Sequence, residues 1–163
     1  MEKGFTDFLG KLRTTEDLYL LISDLEEAQD LVGKRSFDIL SKRLKDRVSL
    51  DFLEQIKNLE KSKKIPLSQE DLAAYFKGLK EYLLNLPKMK IELAFEPSEE
   101  FTSKMARFIQ ESSSSKVILD ISPKPSILAG VTIDYRGVFR DYSYVNKFQQ
   151  IMKEKFSKEY GNL

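Results

Sequence analysis

The sequence contains no cysteine and no histidine among its 163 residues. Without cysteine it has no disulfides, no thiolate metal sites and no cysteine nucleophile. Without histidine it lacks the commonest metal ligand and the commonest general base near neutral pH. Zinc catalysis and Ser-His-Asp chemistry are therefore excluded, and an enzymatic mechanism would have to use carboxylate, lysine or tyrosine side chains.

Long apolar segments are also missing, since the longest uninterrupted runs fall far short of the roughly 20 residues that span a bilayer. The N-terminal sequence MEKGFTDFLGKLR has no apolar core followed by a small-residue cleavage site, so no signal peptide is predicted. Neither sign of charge prevails, because 27 basic and 26 acidic residues give a net charge of +1. No bulk attraction to nucleic acid or to an anionic membrane follows. We expect a cytoplasmic protein that reaches a membrane only through another component.

The first half of the chain has the apolar periodicity of helices. Residues 14–32 place leucines and isoleucines on one face, with Thr14 and Asp17 spaced as a capping box and Gly33 as a stop. A second capping box, Ser68 with Asp71, precedes another apolar stripe that Pro87 closes. Helices are also predicted over residues 36–47 and 50–61, with a weaker one over 5–12. These short, closely spaced helices predict a bundle over residues 1–88.

The period changes near Lys88, where "KIELAF" alternates with Ile91, Leu93 and Phe95 on one side. The strand signature returns in "KVILDIS", in "VTIDY" and after "YRG", and an amphipathic helix beginning near Ser98 lies between the first two strands. A last helix is predicted from about Tyr144. The predicted fold class is α+β, with a helical bundle followed by a small β-α-β-β-β-α domain over residues 89–163 that ends in a terminal helix.

Two glycines and a polar pair have architectural interpretations. Gly137 fits a hairpin reversal that needs positive φ. Gly130, at the start of a strand, predicts the close approach of another backbone or a bulge. Asp141 and Ser143 are predicted to cap the last helix. The glycines form no phosphate-binding pattern, so no nucleotide site is implied.

Two groups of charged residues are weak candidates for chemistry. The basic group is typical of a solvated helix end and has few aromatic neighbours that could stack on bases. The acidic group has no paired-metal or calcium-loop spacing, and turn or cap roles are favoured. We therefore predict no catalytic residue, no cofactor and no metal site. The residues concerned are Lys57, Lys61, Lys63, Lys64, Asp120, Asp134 and Asp141.

An apolar stripe on the last helix is a candidate surface for a partner helix. Phe148, Met152 and Phe156 recur at helical intervals, and Tyr144 precedes them. One interpretation is that the stripe packs onto the sheet. The other is that it binds a partner helix, because aromatic and methionine side chains are enriched at such interfaces.

The order of elements and one motif resemble the delta-subunit family of F-type ATP synthases, whose mitochondrial member is the oligomycin-sensitivity-conferring protein. The resemblance rests on "KIELAF", "KVILDIS" and "PSILAGVTIDYRGVFRDYS". Lys124 stands where the family usually carries an acidic residue before the motif. The family-motif positions are Pro125, Ser126, Leu128, Gly130, Gly137, Asp141 and Ser143.

The resemblance implies a noncatalytic stator subunit that links the catalytic head to the peripheral stalk. Its helical bundle would hold the N-terminal helices of alpha subunits, and its C-terminal domain would hold the b subunit. Its contact with the membrane would be indirect, through the complex. Two alternatives stay open, a peripheral-stalk subunit of a V/A-type ATPase and an unrelated two-domain adaptor for a helical partner.

Overall fold

The computed structural model describes residues 5–34, 38–66 and 68–144, together with Phe148 and Ile151. The chain separates into two compact units, and the division falls between Leu86 and Pro87. The first unit is helical, and the second contains a four-stranded mixed sheet with a helix. The predicted α+β fold class is confirmed.

Two helices of the first unit begin at the side-chain caps that the sequence indicates. At Thr14, the hydroxyl accepts the Asp17 N–H at 3.3 Å and the Asp17 carboxylate accepts the Thr14 N–H at 3.0 Å, which completes the predicted capping box. The Ser68 hydroxyl accepts the Asp71 N–H at 3.1 Å. The helices are α1 (Thr6–Leu9), α2 (Thr15–Val32), α3 (Leu40–Leu44), α4 (Leu50–Lys61) and α5 (Gln69–Leu84).

Helix α3 is shorter than the helix predicted over residues 36–47. It ends at Leu44 because Lys45 turns to extended backbone with ψ 132° and Asp46 adopts φ 66°, neither of which continues a helix. It begins after Ile39, which is also extended. The proposed start of the longer helix, at residues 36 and 37, lies outside the described residues.

The core of the first unit includes a buried polar contact between α2 and the start of α4. Asp24 of α2 is buried, and its carboxylate accepts the Ser49 N–H at 3.0 Å and the Ser49 hydroxyl at 2.5 Å. Ser49 is in turn the N-cap of α4. The helices of this unit also bury large apolar side chains, among them Phe52 and Phe76. The carboxylate therefore fixes where α4 begins relative to α2.

The sheet of the second unit has the strand order β2-β1-β3-β4. The first strand is central, parallel to β2 and antiparallel to β3, and β4 forms an edge antiparallel to β3. Helix α6 connects the two parallel strands. The elements are β1 (Lys88–Leu93), α6 (Glu99–Ser112), β2 (Ile118–Pro123), β3 (Val131–Tyr135) and β4 (Val138–Asp141).

One face of the sheet carries the apolar core of this unit. Ile91 and Leu93 of β1 and Leu119 of β2 are buried there, with Met105 and Ile109 of α6 packed against them. Strand β1 ends at Leu93, so the prediction that Phe95 continues its apolar side is wrong. Phe95 is 49% exposed, and its ring lies 5.4 Å from that of Phe101, edge to face. This aromatic pair forms beyond the end of the strand instead.

The predicted reversal between β3 and β4 is a two-residue hairpin. Tyr135 pairs with Val138, and the residues between them, Arg136 and Gly137, have φ values of 52° and 75°. Positive φ at both central residues is the type I′ arrangement, whose twist matches that of the flanking strands. The role predicted for Gly137 is confirmed.

Candidate partner-binding surface

The motif segment, residues 125–143, follows the end of β2 and begins with a 3-10 turn over Pro125–Ile127. The Lys124 N–H donates to the Leu93 carbonyl at 2.6 Å, which holds the start of the turn against β1. Ile127 is buried at 4% exposure, whereas the next residue, Leu128, is 63% exposed. The turn therefore directs one apolar side chain inward and its neighbour outward.

Gly130 lies where two backbone segments meet. Its φ is +100°, and a Cβ at this position would stand 2.4 Å from the Tyr142 carbonyl oxygen. The two segments are joined by hydrogen bonds, because the Tyr142 N–H donates to the Val131 carbonyl and the Tyr144 N–H to the Ala129 carbonyl, both at 2.9 Å. The close backbone approach predicted for this glycine is confirmed, and no other residue type fits there without a backbone shift.

Asp141 and Ser143 form a local turn just after β4. The Asp141 carboxylate accepts the Ser143 N–H at 2.8 Å. Hydrogen bonds from the Ser143 side chain and backbone lower the pKa of Asp141 below its usual value. Whether this pair caps the last helix stays a prediction, because residues 145–147 lie outside the described residues.

Backbone hydrogen bonds join residues 129–131 to residues 142–144, and exposed apolar side chains lie beside both segments; we name these side chains, Leu128, Tyr142, Tyr144 and Phe148, the motif surface. They are 63%, 59%, 57% and 53% exposed. Phe148 is helical, and its N–H donates to the Tyr144 carbonyl at 2.8 Å. Large apolar side chains left exposed in neighbouring segments make this region a candidate binding site for another protein. The other two residues of the predicted stripe, Met152 and Phe156, lie outside the described residues.

Lys124, the residue that precedes the motif in the sequence, is part of a charged network. On the sheet face opposite α6, the Glu92 carboxylate accepts hydrogen bonds from the Lys124 ammonium at 2.7 Å and the Thr132 hydroxyl at 2.9 Å, and Lys90 lies 3.3 Å away. The Glu92 side chain is only 17% exposed. These donors lower the pKa of Glu92 to about 2, the Lys124 hydrogen bond first among them. Sequence reasoning missed this network, although the strand alternation places Glu92 and Thr132 on the polar face.

We expect Glu92→Gln to reduce the free energy of unfolding at pH 7 by about 1–2 kcal/mol, which is less than the full pKa shift implies because Glu92 is partly solvated. The folded-state pKa is below the unfolded value of about 4.3, so this stability is present above pH 5 and is lost as the pH falls toward 2. Urea unfolding from pH 7 to pH 2 measures it, and the difference between wild type and variant should shrink along that range.

The exposed Glu100→Gln is the matched control for this prediction. Glu100 is 77% exposed and pairs with Lys104 within α6, so its replacement should leave stability nearly unchanged at every pH. A Glu92→Gln protein as stable as wild type at pH 7, or a difference that persists undiminished at pH 2, would contradict the assignment.

The charged groups that the sequence offered for chemistry form no common site in the described part of the chain. Asp120 and Asp134 both pair in register with Lys90, one from each neighbouring strand. Lys64, near the end of α4, lies 3.8 Å from the Asp7 carboxylate. Across the part of the chain that the structure describes, no three acidic side chains converge as they would at a metal site.

Comparison with protein families identifies one match. The family model described as ATP synthase delta (OSCP) subunit matches residues 5–154, which cover most of both units and the whole motif segment. A search of curated proteins returns no match. None of the described helices combines the length and the apolar character that crossing a membrane requires. The chain belongs to the ATP synthase delta (OSCP) subunit family, the structural subunits of the peripheral stalk.

Proposed function

We propose that this subunit joins the catalytic head of the ATP synthase to the b-subunit stalk, at the cytoplasmic side of the membrane, and that it has no catalytic role of its own. The observation that supports this most is the motif surface, because Leu128, a family-motif position, and three aromatic residues within or just after the motif, Tyr142, Tyr144 and Phe148, are all more than half exposed. A joint between two larger bodies needs a binding surface on each of its units.

The C-terminal unit would hold the b subunit through the motif surface. Tyr142, Tyr144 and Phe148 offer broad rings with few rotatable bonds, which lowers the entropy lost on binding. An amphipathic helix presents side chains at i, i+3, i+4 and i+7, a pattern that matches such a patch. The stripe extending to Met152 and Phe156, predicted from the sequence, would lengthen the same surface.

The N-terminal unit would hold the N-terminal helices of the alpha subunits. A shallow groove between α2 and α5 is lined by Gln29, Ala73, Lys77 and Leu84 among others, and Leu84 is 50% exposed. The Lys80 ammonium, which lines the groove, reaches the Glu26 carboxylate at 2.7 Å and so links α5 to α2. Small and apolar side chains flanked by lysines suit an amphipathic helix with acidic residues at its margin.

The mechanical role follows from these two contacts in series. Rotation of the central shaft pushes on the head, and coupling is lost unless the stator resists that torque. The subunit would transmit load through packed, water-excluding interfaces rather than through any reacting group. The absence of histidine and cysteine from the whole sequence is compatible with this role.

The proposal is tested by isolating the tagged subunit from native membranes under mild detergent and identifying the proteins that accompany it. Alpha and b subunits should both be recovered, and the Gly130→Ala protein should lose b preferentially because its C-terminal unit is destabilised. Recovery of neither subunit, or recovery of unrelated helical proteins at higher yield, would contradict the proposal.

A further inference from the structure

We infer that residues 5–12 form a strap that fastens helix α4 to helix α5 and opens by itself while the rest of the N-terminal bundle stays folded. The strap contains α1 and the turn that leads toward α2. The inference goes beyond the proposed function, because it concerns motion within the N-terminal unit. It is carried by the ring contacts of the strap, by a cavity beneath it and by the separate cap of α2.

Two aromatic side chains of the strap lie on different helices. The centroid of the Phe5 ring is 5.4 Å from that of Tyr75 and 5.6 Å from that of Tyr82, both on α5. The Phe8 ring lies 5.7 Å from the Phe52 ring of α4. The main helix neighbours of α4 are α1 and α3, whereas that of α5 is α2. The strap therefore joins two helices that otherwise pack mainly on different partners.

The helix and the ion pairs of the strap hold it only weakly. Helix α1 has four residues and no side-chain cap, and a helix of this length is not stable by itself. The Lys11 ammonium lies 2.6 Å from the Asp51 carboxylate, and the Lys64 ammonium lies 3.8 Å from the Asp7 carboxylate. All four side chains are at least half exposed, and exposed ion pairs contribute little stability. The strap is therefore held chiefly by its buried apolar side chains.

These buried side chains do not fill the space beneath the strap. Phe8 and Leu12 are 1% and 3% exposed, and they border a cavity of about 80 Å³ together with Leu21 of α2 and Phe52 of α4. Side chains that line a cavity lack the dispersion contacts that a filled space would supply. Detaching the strap therefore costs less free energy than detaching an equally buried segment that is closely packed.

Helix α2 keeps its start when the strap detaches. Its capping box lies within residues 14–17, because the Thr14 and Asp17 side chains each accept the backbone N–H of the other residue. The Asp17 carboxylate also accepts the Arg13 N–H at 2.9 Å, which fixes the chain immediately after the strap. The capping box uses no residue of the strap, so the opening stops at Arg13.

The strap limits how far α4 and α5 move apart. When it opens, the rings of Phe52, Tyr75 and Tyr82 lose their contacts with it, and the link between the two helices is released. Openings of single segments require less free energy than global unfolding and are therefore populated under native conditions. The N-terminal unit is thus a bundle with one adjustable closure.

The test measures the reactivity of one introduced thiol in the full-length chain, which has no cysteine of its own. Leu12→Cys places the thiol in the strap, and Leu59→Cys in α4 is the matched control, since both leucines are 3% exposed. We expect the Leu12→Cys thiol to react with an aromatic disulfide reagent at least about a hundredfold faster than the Leu59→Cys thiol. Low concentrations of urea should change the first rate little and raise the second steeply, because global unfolding exposes far more surface.

A second substitution tests the ring contacts. Phe5→Leu keeps an apolar side chain but removes the contacts with both tyrosine rings, so it should accelerate the Leu12→Cys thiol about tenfold and leave the Leu59→Cys thiol unchanged. Hydrogen exchange of the unmodified chain supplies a measurement without any substitution. The Phe8 amide, bonded to the Phe5 carbonyl, should exchange at least about tenfold faster than the Leu53 amide, bonded to the Ser49 carbonyl.

Three results would overturn the inference. Equal rates for the two thiols, with the same dependence on urea, would show that residues 5–12 open only when the whole bundle unfolds. Equal acceleration of both thiols by Phe5→Leu would show that Phe5 stabilises the bundle as a whole. Loss of the helical circular dichroism signal in Leu12→Cys would show that the bundle does not persist without the strap.

Discussion

Replacing Gly130 with alanine is expected to destabilise the C-terminal unit by about 2–5 kcal/mol. Two penalties add at this position. A residue with a Cβ at φ +100° is strained by about 1–2 kcal/mol, and the added Cβ would lie 2.4 Å from the Tyr142 carbonyl oxygen, forcing a backbone shift worth roughly another 1–3 kcal/mol. Flexible side chains cannot absorb this contact because the neighbouring atoms belong to the backbone.

The same substitution at Gly137 separates the two penalties. Its φ is +75°, but an added Cβ meets nothing within 4 Å. Gly137→Ala should therefore lose only about 1 kcal/mol, the conformational part alone. Hydrogen exchange of peptides covering β1 to β4 reports both free energies. Equal destabilisation by the two variants would contradict the close packing assigned to Gly130.

The double substitution Tyr144→Asp with Phe148→Asp is expected to weaken binding to the b-subunit helix at least a hundredfold, about 2.7 kcal/mol. Each aspartate would place a charge where an aromatic ring becomes buried, and a carboxylate without a partner is costly to desolvate. Because both side chains are more than half exposed in the free subunit, the fold itself should survive. Isothermal calorimetry against the b-helix peptide measures the loss.

Phe108→Asp on α6 controls for the added charge, and an alpha-subunit N-terminal peptide controls for the integrity of the other unit. The Phe108→Asp protein should bind the b-helix peptide with wild-type affinity. The double variant should bind the alpha-subunit peptide with wild-type affinity. If the double variant retained full affinity for the b helix with an unchanged circular dichroism spectrum, the motif surface would not be the stalk contact.

Much of the fold could be predicted because its signals are local. The helix starts at Thr14 and Ser68 are encoded by side-chain oxygens that reach amides three residues on. Glycine at positions 130 and 137 indicates backbone conformations with positive φ, which other residues avoid. In each case the residue that carries the signal and the structure it creates are adjacent in the chain.

The features that could not be predicted depend on which distant segments meet. The hydrogen-bond donors of Glu92 are distant from it in the chain. Thr132 lies opposite Glu92 because β1 pairs with β3, and Lys124 lies beyond the end of β2. Leu128 adopts φ 62° and ψ −55° although leucine normally avoids positive φ, so nothing at this position in the sequence indicates its backbone conformation. The prediction that Phe95 lies on the first strand is wrong because an alternating pattern does not show where a strand ends.

The central claim is that this subunit bridges the head and the stalk, and a reconstitution tests it most directly. Purified catalytic head and the soluble part of the b subunit are sedimented together in an analytical ultracentrifuge, with and without the full-length subunit. The account predicts that head and b sediment as one complex only when the subunit is present, and that Tyr144→Asp with Phe148→Asp releases b while the subunit stays on the head. Separate sedimentation of head and b in the presence of the wild-type subunit would contradict it.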